Sequence, residues 1–125
     1  MAELANRFGR GGYSKERYSA DTVGTNNDFT AQKSLEIHQV RIHLDEAADA
    51  ASLLNISVLD NEGSFYHTLI TAATADNIDL NGLTDAMYNP TSPIILLKDD
   101  VFRVSYANAG AARTYGITVV YKELK

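Results

Sequence analysis

Short segments in which apolar and polar side chains alternate constrain the fold of this chain more than any other feature. The clearest is Gln39–Leu44, in which every second residue is a large aliphatic one. Alternation with a period of two is the pattern of a half-buried β-strand. The same pattern recurs in Leu53–Leu59, Val101–Ala107 and Tyr115–Tyr121. We therefore predict an all-β fold, an antiparallel, jelly-roll-like β-sandwich of about seven or eight strands.

A change of register is expected at the start of the first of these strands. Leu35 and Ile37 have the opposite parity to the aliphatic residues that follow them. One additional residue in a strand reverses the direction of the side chains on either side of it. We therefore predict a β-bulge near His38-Gln39.

Turn chemistry predicts how the later segments connect. Asp60–Gly63 is a tight-turn sequence, so Ser64–Thr71 is expected to return as a strand and to form a hairpin with Leu53–Leu59. Asn89–Pro93 contains two prolines, which cannot donate to a sheet ladder, and is predicted to be a loop.

The first 33 residues are unlike the remainder, because they contain four glycines and no aliphatic periodicity. Phe8, Tyr13 and Tyr18 follow one another at intervals of five, which suits neither a helix face nor a strand face. We predict two units, an extended N-terminal arm over residues 1–33 and a β-sandwich domain over residues 34–125. Rings and arginines on such an arm are typical anchors for another chain. The alternative is that the rings fold back on their own domain.

Charge supports the prediction that the arm binds a partner. Five basic and four acidic residues lie in the arm, whereas residues 34–125 contain six basic and twelve acidic ones. A slightly basic arm on an acidic body suits an acidic partner surface. The arm residues expected to bind that partner are Arg7, Phe8, Arg10, Tyr13, Arg17 and Tyr18. We also expect the domain to remain folded when residues 1–20 are removed.

Composition excludes several classes of function. The net charge of −5 argues against general nucleic-acid binding, which needs clustered lysine and arginine. The chain has no cysteine, so disulfides and thiolate metal sites are ruled out. No apolar run is long enough for a signal peptide or a membrane span. We therefore expect a protein that is made in a cytoplasm and is not bound to a membrane.

No catalytic motif is evident. No serine lies in a Gly-x-Ser-x-Gly sequence, and Phe8–Gly12 lacks the ending of a phosphate-binding loop. His38, His43 and His67 are isolated on predicted strands, with no third ligand expected to converge on them. The acid pairs lack the spacing of a calcium loop. We expect no enzyme activity, no cofactor, no bound metal and no small-molecule substrate.

Five segments together carry a resemblance to a known group of proteins. They are Val40–Leu44, Leu54–Asp60, Gly63–Leu69, Leu97–Val104 and Tyr115–Tyr121. A leucine and an acid pair precede a hydrophobic strand, a small-residue loop and a last strand that begins with Tyr-Gly. In this pattern the chain resembles small β-sandwich structural proteins of tailed-phage virions, including capsid decoration, or cement, proteins and head-spike bases.

The resemblance implies a non-enzymatic structural protein on the outside of a capsid in the virion. Such proteins are often homotrimers whose terminal arms reach over neighbouring subunits of the major capsid protein and bridge them. The residues expected at the trimer interface are Leu53, Leu59, Tyr66 and Val120, which have the parity opposite to the probable core face. Alternatives are another virion component, such as a tail, neck or head-spike base protein, or a carbohydrate-binding module. The sugar platform of such a module would consist of Tyr106, Tyr115 and Tyr121.

Overall fold

The computed structural model describes residues 12–21, 25–71 and 78–124. Within these ranges the chain forms ten β-strands and a single turn of 3₁₀-helix at Ser64–Tyr66. The strands are β1 (Ser14–Ala20), β2 (Thr25–Thr30), β3 (Leu35–Leu44), β4 (Leu53–Leu59), β5 (Thr68–Leu69), β6 (Ile78–Asp79), β7 (Asp85–Tyr88), β8 (Ile94–Leu96), β9 (Val101–Tyr106) and β10 (Tyr115–Glu123).

These strands form two antiparallel sheets. In sheet A the order is β1-β10-β3-β7, and β8 also pairs with β3. In sheet B the order is β2-β9-β4-β5, and β6 also pairs with β4. The all-β antiparallel sandwich predicted from the alternating segments is confirmed.

At one edge of each sheet, two short strands lie one after the other and together take the place of a single longer strand. β7 pairs with residues 40–43 of β3 and β8 with residues 35–37, so the two lie along one edge. β5 and β6 lie in the same way along β4. Counting each pair as one strand gives eight strands, in the orders 1-8-3-6 and 2-7-4-5, which is jelly-roll connectivity. The two-proline loop Asn89–Pro93 is the interruption between β7 and β8.

The core lies between the sheets and is built from one parity of each strand. Every second residue of β3 from Val40 to Leu44 is at most 1% exposed, and the same holds for β9 from Phe102 to Tyr106. Burying a large apolar side chain of this kind contributes roughly 1.5–3 kcal/mol. The alternation that predicted the strands is therefore also what holds the two sheets together.

The predicted β-bulge is confirmed. Val120 of β10 lies opposite Gln39, and the next residue, Tyr121, lies opposite Ile37, so His38 has no partner on β10. The additional residue reverses the parity of β3, and Ile37 consequently points into the core at 1% exposure.

The predicted boundary at residues 33 and 34 needs correction, because the sandwich begins no later than Ser14. β1 pairs along its whole length with β10, and β2 does the same with β9. From these strands Tyr18 and Phe29 pack against the core. Polar sequences form strands here because an edge strand needs apolar residues on its inner face only. Residues 1–11 lie outside the described residues, so the extended arm remains a prediction for them.

The return strand predicted over Ser64–Thr71 is mostly absent. Its first residues form the 3₁₀ turn, and only Thr68–Leu69 pairs with β4. Gly63 has a φ of 134°, a conformation that residues with a side chain rarely adopt. The chain turns there instead of continuing as a strand, and Phe65 is left 98% exposed.

Deleting residues 1–11 and deleting residues 1–20 are expected to have very different effects on stability. The shorter deletion leaves β1 intact, so the urea midpoint should stay close to that of the full chain. The longer one removes seven paired residues and the half-buried Tyr18, and should cost more than about 3 kcal/mol. Urea unfolding followed by circular dichroism measures both. Equal stability of the two truncated chains would contradict the position of β1.

A bidentate ion pair crosses the outer face of sheet B. Arg103 donates from Nε to Oδ1 of Asp28 at 2.7 Å and from Nη2 to Oδ2 at 2.9 Å. The hydrogen bonds from Arg103 are the main reason that the pKa of Asp28 lies below its ordinary value. A carboxyl group with a lowered pKa in the folded state contributes stability above its unfolded pKa and loses it as the pH falls through the folded pKa.

Asp28→Asn should therefore destabilise the protein at pH 7 and do so less as the pH falls below the ordinary pKa of 3.8. The measurement is the free energy of unfolding of wild type and variant between pH 7 and pH 2. Glu62→Gln, which removes an exposed carboxylate elsewhere, is the control. A difference between wild type and Asp28→Asn that does not shrink in acid would contradict this prediction.

Candidate functional site

The arm residues predicted to bind a partner fall into two groups. Those outside the described residues are Arg7, Phe8 and Arg10. Tyr13 is 59% exposed, and its ring centroid lies 4.4 Å from that of His38. Arg17 is exposed on β1. Both described side chains are thus accessible to another molecule.

Tyr18 belongs to the packing of its own subunit. Its ring packs against the core, and its hydroxyl donates to the carbonyl oxygen of Asp28 at 3.1 Å, which joins β1 to β2. Burial, followed by the nearby Glu16, Asp28 and Tyr121, raises the pKa of Tyr18 to about 12. For Tyr18 the alternative interpretation is therefore the one observed, in which the ring folds back on its own domain.

The predicted trimer-interface residues differ in accessibility. Tyr66 is 64% exposed, and Leu53 and Leu59 are half-buried at opposite ends of β4. Val120 is only 4% exposed, so its prediction as an interface residue is wrong. It lies in the central strand β10 beside the bulge, with β1 paired on one side and β3 on the other.

Three large apolar side chains are exposed at one end of the sandwich. Phe65 and Tyr66, on the 3₁₀ turn, are 98% and 64% exposed, and Leu97, on the turn between β8 and β9, is 61% exposed. The turn Asp60–Gly63, which leads into the 3₁₀ turn, lies beside the turn of Leu97, because the backbone N–H groups of Asn61 and Leu97 donate to the two oxygens of the Asp100 carboxylate, each at 2.9 Å. We call Phe65, Tyr66 and Leu97 the apolar end.

Asp100 fixes the base of the apolar end. The residue is 7% exposed, and its carboxylate accepts one hydrogen bond from the Asp60–Gly63 turn and one from the turn of Leu97. Hydrogen bonds to a carboxylate are roughly twice as strong as neutral ones. The backbone adds two links at 2.8 Å each, from the N–H of Ala31 to the Asp100 carbonyl and from the N–H of Asp99 to the Ala31 carbonyl. The exposed side chains therefore project from turns that are tied to the sandwich.

The N-terminal segment joins the sandwich near this same end. The first residue of β1, Ser14, lies opposite Tyr121, whose ring centroid is 4.8 Å from that of Phe29 on the facing sheet. Phe29 lies opposite Phe102, two residues after Asp100. The chain that precedes β1 therefore starts from the end of the molecule that carries the apolar end.

Sequence reasoning missed Phe65 and Leu97 as exposed residues. Phe65 was expected inside a strand, and Leu97 closes an apolar run. The available signals were Gly63, which breaks the strand pattern before Phe65, and Lys98–Asp100, a charged turn directly after Leu97.

The three tyrosines predicted to form a sugar platform do not form one. Tyr106 is 0% and Tyr115 2% exposed, and their rings meet edge to face at 5.1 Å between centroids. Tyr121 is partly buried against the core. These rings fill the interior, so the prediction of a platform for a carbohydrate ligand is wrong.

The outer face of sheet A brings a serine, a histidine and an acid into one row. Nδ1 of His43 lies 2.7 Å from Oδ1 of Asp85, and the hydrogen bonds from His43 and then Thr84 lower the pKa of Asp85. Ser19 lies in the same row beyond Gly116. The strands of Ser19 and His43 are about 10 Å apart, whereas a nucleophile must lie within hydrogen-bond reach of its base. Ser19 and His43 are therefore too far apart to act as a nucleophile and its base.

Neither a cluster of metal-ligating side chains nor a membrane-spanning helix occurs in residues 12–21, 25–71 and 78–124. Among the described residues, no three or more histidine, aspartate or glutamate side chains come together in a way that could hold a metal ion. In those ranges there is also no helix of the length and hydrophobicity that a bilayer crossing requires.

Comparison with known proteins gives matches in structure only. No family model and no curated protein matches the sequence, whereas a comparison with solved structures finds twelve matching chains. One is the core of the Drosophila protein NLP, described for pentamer formation and histone binding, with 12% identity and a TM-score of 0.43 over 90% of this chain and 99% of that one.

Two further matches come from infectious bursal disease virus. The Gx strain structure has 13% identity and a TM-score of 0.34, over 89% of this chain and 30% of the viral one. A mutant VP2 protein in derived particles has 8% identity and a TM-score of 0.22, over 90% and 37%. At these identities and TM-scores none of the three proteins carries an inference about this chain.

Asp100→Ala should lower the free energy of unfolding by about 1–3 kcal/mol, because two backbone N–H groups lose their acceptor. Lys98→Ala, an exposed change in the same turn, is the control and should stay within about 0.5 kcal/mol of wild type. Urea unfolding of the three proteins measures both values. A wild-type midpoint for Asp100→Ala would show that the carboxylate does not hold the turns.

Proposed function

We propose that this chain is a non-enzymatic structural protein of a virion, a capsid decoration or cement protein that binds the outside of the shell and bridges subunits of the major capsid protein. The observation that carries the proposal is the apolar end, placed where the N-terminal segment joins the sandwich. Jelly rolls are found in capsid and lectin domains, and the resemblance of the sequence to tailed-phage decoration proteins favours the first. The protein would be made in the host cytoplasm and lie on the capsid exterior.

The apolar end has the properties of a docking anchor. Phe65 and Tyr66 leave large aromatic surfaces in water, and aromatic side chains that enter a partner's pocket carry much of the energy of an interface. The Asp100 carboxylate is bonded to the turn of Leu97 and to the Asp60–Gly63 turn, which leads into the 3₁₀ turn. The backbone of these turns is therefore ordered before binding, which lowers the entropic cost of binding.

Bridging needs a second contact on another subunit, and the arm supplies it in this proposal. Eleven residues before the described chain, with Arg7, Phe8 and Arg10 among them, span at most about 40 Å when extended. One contact by the apolar end and one by the arm would link two capsid subunits. Two modest contacts held by one molecule bind far more tightly than either alone.

The outer face of sheet B supports the proposed homotrimer. Its central charges, Asp28 and Arg103, compensate each other within the subunit, and Leu53 and Leu59 are half-buried at the ends of β4. This ion pair can be buried against a second copy without leaving either of its two charges unpaired. Tyr66, which belongs to the apolar end, is the other exposed residue proposed for this interface.

Leu97→Ser should weaken binding to the shell at least about tenfold if the apolar end is the anchor. Leu83→Ser is the matched control, because Leu83 is 47% exposed but lies beyond β6, at the opposite end of β4. Co-sedimentation with shells assembled from the major capsid protein of the encoding virus measures both. Deleting residues 1–11 should also reduce binding while the urea midpoint stays unchanged.

Equal binding by wild type and Leu97→Ser would overturn the role of the apolar end, and no binding by the wild-type protein would overturn the cement function. Binding to tails, necks or isolated spike bases in place of shells would assign the protein to another part of the virion. Sedimentation equilibrium of the free protein tests the trimer, which the proposal expects to form through sheet B and to weaken on Leu59→Asp.

A further inference from the structure

The outer face of sheet A carries two parallel rows of paired residues. One row runs Ser19, Gly116, His43, Asp85 across β1, β10, β3 and β7, and the next runs Arg17, Thr118, Arg41, Met87. Because side chains alternate along a strand, all of these positions point away from the core. Both rows are therefore presented to solvent side by side.

A recess opens where these rows cross β10. Gly116 has no side chain, so the surface sinks between Ser19 and His43, and two adjoining depressions of about 460 and 400 Å³ share His43, Gly116 and Thr118. The strands on either side are about 10 Å apart. We call this hollow the Gly116 recess. Its width admits one side chain of a partner.

The recess is rimmed by hydrogen-bond donors with positive charge. Arg17 and Arg41 lie on the two sides of Thr118, and Arg41 donates from Nε to Oε1 of Gln39, which steadies its guanidinium. The acid in these rows, Asp85, is already bonded to His43 and Thr84. This rim is cationic although the whole chain has a net charge of −5.

We propose that the Gly116 recess binds a carboxylate side chain from an extended acidic segment of a partner protein. The two arginines approach the carboxylate from opposite sides, and each guanidinium can donate two parallel hydrogen bonds to it. The hydroxyl groups of Thr118 and Ser19 can donate to the same group. Because the two depressions continue across β1, β10, β3 and β7, the segment runs across the strands.

An acidic protein segment fits better than a nucleic acid. Nucleic-acid affinity comes from many phosphate contacts along a basic track, whereas this face offers two arginines around one hollow and includes Glu36 and Asp85. This inference concerns a different face from the apolar end and does not depend on the capsid function.

The test uses a ten-residue peptide of alternating glutamate and serine, with the glutamine version as control, titrated against the full ¹⁵N-labelled chain by NMR. We expect shifts at Gly116, Thr118 and His43 with the glutamate peptide only. Arg41→Gln should weaken binding at least about tenfold, whereas Lys122→Gln, which removes an exposed charge elsewhere on sheet A, should have little effect.

Gly116→Val separates the recess from general electrostatics, since it changes no charge. A Cβ on Gly116 meets only the Tyr18 carbonyl oxygen, at 3.8 Å, and valine favours strands, so the variant should fold with an unchanged or higher urea midpoint. It should abolish the peptide shifts. Unchanged peptide affinity in a folded Gly116→Val protein, or tighter binding of a ten-nucleotide oligothymidylate than of the peptide, would overturn the proposal.

Discussion

The pairing of β3 with β10 is the interaction on which the rest of the structure depends. These are the two longest strands, and together they carry β1 on one side and β7 and β8 on the other. The bulge at His38 lets both halves of β3 turn their aliphatic residues inward, although the sequence changes parity there. Without it, one half of the strand would turn its apolar side chains to solvent, and sheet A could not close over sheet B.

Surfaces of different character follow from this arrangement. Alternation assigns one parity of every strand to the core, so the other parity is free to vary. On sheet A the outward positions include Arg17 and Arg41 on either side of a hollow at Gly116, and on sheet B they include the Asp28–Arg103 ion pair. At the end of the sandwich the Asp100 carboxylate links two turns. The side chains of Phe65 and Leu97 are exposed to solvent there.

The sequence predicted strands and the bulge correctly where the conformation of a residue depends on its near neighbours in the chain. Strong alternation located β3, β4, β9 and β10, and the parity change located the bulge. Prediction failed where a segment takes its conformation from a distant partner. The polar β1 becomes a strand because β10 offers it an edge. Tyr18 is half-buried because its ring packs against the core, and its hydroxyl donates to the carbonyl oxygen of Asp28, ten residues later. The predicted interface residue Val120 failed for the same reason, since two neighbouring strands cover it.

The sequence by itself determined the class of the fold, the central strands and the face of each that is buried, because a period of two is a local property of the chain. Only the tertiary structure decided which exposed residues come together. Asn61 and Leu97 meet at Asp100, and Arg17 and Arg41 come to lie on either side of Thr118, through pairings between residues far apart in the chain. Such neighbours are set by strand order and register, and no spacing within one segment encodes them.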